Sequence, residues 1–98
     1  MTEFKRHNFK KLKIWQMGLQ IAKDIFDSTA TFPNEEKFGL TSQMNRCAVS
    51  IPSNIAEGSS RTNKSFSHFI DISLGSSFEL QTQILKDLLM TKQHMTLN

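Results

Sequence analysis

The side chains from which this 98-residue chain could build catalysis or metal binding are Cys47, three histidines and nine carboxylates. A thiol becomes a nucleophile when a base stands beside it. Cys47 instead lies three residues after Met44 and four before Ile51, on an apolar stripe where cysteine serves as a small buried hydrophobe. His68 and Asp71, three residues apart on one helical face, could share a metal ion, but two ligands are half of a tetrahedral site and no third clusters with them. Glu57, Asp71 and Glu79 could form an acid–base pair across helices; ion pairing with nearby Arg or Lys is the simpler expectation. Gly18, Gly39, Gly58 and Gly75 are scattered, with neither a Walker A run nor a dinucleotide fingerprint. Trp15 and the eight phenylalanines fall mostly at core spacing rather than as a platform for stacked bases. The expectation is a protein with no enzymatic activity, cofactor or metal.

Charge is the more telling feature. Twelve basic and nine acidic side chains leave a net charge of +3, and the excess is uneven: Lys5, Arg6, Lys10, Lys11 and Lys13 fall within nine residues, opposed nearby only by Glu3. Such a cluster attracts phosphate backbones or other acidic partners. With Arg46, Arg61 and Lys64 it makes the candidate nucleic-acid-binding set. The N-terminal segment has no apolar stretch or cleavage site of a secretory signal, and no apolar run is long enough to cross a membrane. One cysteine allows no internal disulfide, so the reading is a cytoplasmic protein without membrane contact.

These residues need elements to carry them, and 98 residues make a single domain, 1–98, with one modest core. Apolar positions at spacings of three and four predict three helices, at about 9–31, 36–57 and 62–90. The first stripe is Leu12, Trp15, Leu19, Ala22, Ile25 and Phe26; Phe32-Pro33 ends it and Asn34 is placed to cap the second helix. The second stripe is Leu40, Met44, Cys47, Ala48, Ile51 and Ile55, with Pro52 inside it. Ile51 and Ile55 keep phase across the proline, which predicts a helix that continues with a kink. Ser50 and Ser53 would help satisfy the freed backbone groups, and Gly58 would stop the helix. Ser53 and Asn54 would face a neighbouring helix or subunit, and Glu57 would pair with Arg46 or Arg61. The third stripe is Phe66, Phe69, Ile70, Leu74, Leu80, Ile84 and Leu88. Within it Ser73, Gly75, Ser76 and Ser77 would admit a close neighbour, giving a packing reason for the helix-weakening Gly75. Three such stripes are better covered by a fourth helix or a second subunit.

The runs "FGLTSQMNRCAVSIPSNIAEGSSR", "LKIWQMGLQIAKDIFDSTATFPNEEK" and "FSHFIDISLGSSFELQTQI" resemble a bacterial four-helix-bundle family, the proteins encoded within intervening sequences of 23S ribosomal RNA genes. The accessory variability determinant of diversity-generating retroelements is similar to them as well. The resemblance covers about residues 9–86, and "SIPSNIAEG" with the later "GSSFELQTQ" is its specific pairing. It implies an all-α, antiparallel up-down bundle of the four-helix type, assembly as a homopentamer, and a basic surface that holds RNA or DNA. From the retroelement relatives it implies a reverse transcriptase as protein partner, in an adaptor role. It implies no enzymatic activity. Two departures stand out: Asn45-Arg46 replaces the family's pair of arginines, and the fourth helix is truncated or missing. Pro52, Ser53, Asn54, Glu57, Gly58 and Gly75 are therefore expected in structural roles, with Pro52 bending its helix to keep Ile51 and Ile55 on the core.

Overall fold

The computed structural model describes residues 8–36 and 39–97. It is all-helical: α1 spans Lys13–Thr29, α2 spans Leu40–Ser59 and α3 spans Asn63–Leu97. Single 3-10 turns at Phe9–Lys11 and Asn34–Glu36 precede α1 and α2. Lys5 and Arg6 lie outside the described residues.

Local chemistry accounts for most helix ends. Asn8 accepts the Lys10 amide at 3.2 Å and opens the first turn. Leu12 is extended, with ψ of 125°, and separates that turn from α1, so the first helical pattern is two pieces rather than one. Asn34 opens the second 3-10 turn, and α2 begins after Gly39 with no side-chain cap, correcting the expected role of Asn34. Thr62 Oγ1 accepts the Ser65 amide at 3.3 Å, which caps the start of α3.

The helices run up, down and up. Thr29 Oγ1 donates to Asn45 Oδ1 at 2.9 Å, while Gly18, eleven residues earlier, abuts Ile51 and Pro52. In the same sense Cys47 Sγ donates to the Ser76 carbonyl at 3.0 Å and Ser73 Oγ to the Ile51 carbonyl at 2.9 Å. One core joins the three: Ala22, Ile25, Met44, Cys47, Ala48, Ile51, Ile55 and Leu80 are buried, and Leu12, Trp15, Phe32, Leu40, Phe66 and Ile84 pack at its edge. The helix α2 sits in the middle. Both α1 and α3 pack along it, and among the described residues they do not pack on each other. That is the relation of two diagonal helices in a four-helix bundle.

Several expected positions change role. On α1 the inward residues are Gly18, Ala22, Ile25 and Thr29, whereas Leu19 and Phe26 are exposed. On α3 Leu74 and Leu88 are exposed, and Ser73 is buried in their place. Helix α2 runs unbroken through Pro52, which is itself buried. Gly18 on α1 leaves the room: a Cβ there would stand 3.3 Å from Ile51 Cγ2 and 3.4 Å from the Pro52 nitrogen. Gly58 does not stop α2. It is buried within the helix, its φ is not positive, and a Cβ there would lie 2.6 Å from Phe69 Cβ and 3.0 Å from Phe66 Cδ1. Gly75 has no such constraint: nothing stands within 4 Å of where its Cβ would be. The close approach expected of the small-residue patch is made by Ser73 and Ser76, not by Gly75.

Candidate nucleic-acid interface

The antiparallel packing decides which cations meet. Because α1 starts where α2 ends, Lys10, Lys11 and Lys13 come to the same end of the bundle as Arg61 and Lys64. All five are exposed. The turn that carries Lys10 and Lys11 is held firmly. It packs on α2, Phe9 meets Trp15 edge to face at 5.2 Å between ring centroids, and Gln16 Nε2 donates to the Lys10 carbonyl at 2.9 Å. Arg61 is anchored twice, by an ion pair with Glu57 four residues earlier and by its guanidinium lying 5.5 Å from the centroid of the Phe69 ring. Of the two partners expected for Glu57, Arg61 is the one it takes.

The backbone adds to this field. Both α1 and α3 start at this end, and neither carries an acidic residue in its first turn. Their positive dipole ends are therefore not neutralised by a carboxylate of their own first turns. This contribution was legible in the sequence as two helix starts without Asp or Glu, but only the packing brings the two starts together. The aromatic support of Arg61 had no sequence signal beyond the eight-residue spacing to Phe69.

Arg46 does not join the cluster. It lies four turns back along α2, about 22 Å from Arg61 at 1.5 Å per residue. There it lines a groove of about 390 Å³ between α2 and α3 with Gln43, Cys47, Ser50, Glu79 and Gln83. The Cys47 thiol in this groove is pushed up from its ordinary pKa by burial and then by the nearby Glu79 carboxylate, so it holds its proton. With its hydrogen going to the Ser76 carbonyl, this thiol is no activated nucleophile. Among the described residues no three His, Cys, Asp or Glu side chains form a group that could hold a metal ion. No described helix is long and apolar enough to cross a membrane.

The remaining structural candidates sit close by. Ser50 Oγ donates to the Cys47 carbonyl at 2.6 Å, one turn before Pro52. Asn54 is half-buried, and its Nδ2 donates to the Ser50 carbonyl of its own helix at 2.8 Å. Ser53 is exposed.

The model of the 23S rRNA-intervening sequence protein family matches residues 10–96, and the chain belongs to that family. No curated protein matches it.

Proposed function

We propose that this member of the 23S rRNA-intervening sequence protein family is a non-enzymatic, self-associating helical bundle that binds RNA or DNA through the basic end of its three helices. The observation that carries this reading is the gathering of Lys10, Lys11, Lys13, Arg61 and Lys64 at one end, with Glu57 the acid paired among them. Two helix N-termini free of acidic residues add to the attraction for phosphate. Contacts of this kind go to the nucleic-acid backbone, so binding is tolerant of sequence and falls steeply with salt. Arg46 stands apart and contributes little. The second reading is an adaptor that docks a larger enzyme such as a reverse transcriptase. The exposed leucines and phenylalanine along α3 favour it.

The test is the salt dependence of binding to a structured RNA, for the parent chain and for Lys10→Glu/Lys11→Glu/Lys13→Glu. Each phosphate contact on a single strand contributes about −0.7 to the slope of log K against log salt. The triple variant should therefore flatten that slope by about 2 and weaken binding at low salt at least tenfold. Unchanged RNA binding in the triple variant removes the nucleic-acid reading. A parent chain that ignores RNA but retains a protein partner favours the adaptor.

A further inference from the structure

The basic end holds flat groups among its cations, and Arg61 is the clearest of them. Its guanidinium lies 5.5 Å from the centroid of the Phe69 ring, and its Nη2 donates to Glu57 Oε1. The N–H donors of a guanidinium all lie in its plane, so Glu57 takes part of one edge. Two contacts thus hold the plane in position, while 52% of the side chain stays open to solvent. His68, also exposed, meets the same Phe69 ring edge to face at 5.8 Å. Two exposed planar groups therefore border one half-buried ring.

The cations are not arranged as in a reader of duplex grooves. Lys10 and Lys11 sit on a 3-10 turn, Lys13 opens α1, Arg61 is in the loop, and Lys64 is the second residue of α3. A protein that reads a duplex groove lays a helix or a ribbon along it. No described helix has a basic flank of that kind. The next cation along α1 is Lys23, which is paired with Asp27, and the next along α3 is Lys86.

We infer that the basic end takes a single strand of RNA or DNA, with Arg61 as the platform on which an unpaired base stacks. Lys10, Lys11, Lys13 and Lys64 hold the flanking phosphates. This inference rests on the nucleic-acid reading above and names the form of its ligand. Unpaired bases expose their faces, and those faces stack on guanidinium planes and on aromatic rings, histidine included. Bases inside a duplex offer no such face. Arg61 suits stacking better than phosphate binding, because Glu57 already offsets its charge. The four lysines form no ion pair among the described residues, so their charge is free for phosphate.

Fluorescence anisotropy at fixed low salt tests this with labelled DNA probes of about 12 nucleotides. The probes are a single strand of mixed sequence, the same length built of abasic sites, and the strand paired with its complement. A purely electrostatic surface prefers the duplex, whose phosphates are denser. The parent chain should instead bind the single strand tightest, at least about fivefold above the abasic strand. Arg61→Lys keeps the charge and loses the plane. It should bring the single strand to within about twofold of the abasic one, with the abasic affinity and its salt slope unchanged. An RNA strand of the same sequence should behave like the DNA, since both present base faces. Equal binding of the base-bearing and abasic strands, or tighter binding of the duplex, overturns the inference and leaves the nucleic-acid reading standing. Binding of RNA alone would place the selection on the sugar and overturns it as well. A preference for bases that survives Arg61→Lys overturns the role of Arg61. A parent chain that binds none of the probes removes both readings.

Discussion

Replacing Gly58 with alanine adds one methyl group where two helices meet. Its Cβ would stand 2.6 Å from Phe69 Cβ, 3.2 Å from Phe69 Cγ and 3.0 Å from Phe66 Cδ1. The nearest of these is the atom that joins Phe69 to its backbone, so no side-chain rotation relieves the clash; α3 itself must move. Overpacking of this kind costs about 1–3 kcal/mol, and a clash against a fixed atom belongs in the upper half of that range. Alanine's better helix propensity returns about 1 kcal/mol. The net loss is about 1–2 kcal/mol, which in a domain of this size lowers Tm by roughly 5–15 °C. Gly75→Ala is the matched control. With nothing within 4 Å of its Cβ, only the propensity term acts, and the variant should gain up to about 1 kcal/mol and roughly 4–8 °C. Thermal and urea unfolding followed by far-UV circular dichroism would measure both. A Gly58→Ala chain as stable as the parent would refute the reasoning, because Gly58 would then be a helix end with open space around it.

Thr29→Val keeps the shape of a buried side chain but removes the hydroxyl that donates to Asn45 Oδ1 at 2.9 Å. The expected loss is about 1 kcal/mol, and combining it with Asn45→Ala should cost less than the two singles together. Cys47 gives a pH dependence. Its folded pKa is raised, so below the ordinary thiol range both states are protonated and stability is unaffected by this group. As pH rises through that range the unfolded chain ionises first and stability falls. The difference in stability between the parent and Cys47→Ser should therefore shrink or reverse at alkaline pH, and native alkylation of Cys47 should be slower than in denaturant. A constant difference and equal alkylation rates would contradict the assignment. Glu57→Gln breaks an ion pair whose side chains are 52% exposed on both partners. It should shift stability by less than about 0.5 kcal/mol and tighten RNA binding at low salt, since it removes an acid from the basic end.

Helix number, direction and most of the core were legible because Met44, Cys47, Ala48, Ile51 and Ile55 repeat at helical spacing on the helix that lies between the other two. A central helix buries a broad stripe, and a broad stripe is easy to read. The flanking helices misled because each has two apolar faces. On α1, Leu19 and Phe26 compete with Gly18 and Thr29 for the inward positions, and hydrophobicity alone picks the leucine and phenylalanine. Close packing against Pro52 and the bond to Asn45 select the small and polar residues instead. Glycine misled for a related reason. A glycine with Ser-Ser-Arg after it reads as a helix stop, and only the position of Phe69 on another helix reveals that Gly58 is there for clearance. The basic end was half legible: the lysines were visible as a cluster, but their union with Arg61 and Lys64 depends on the antiparallel path of the chain.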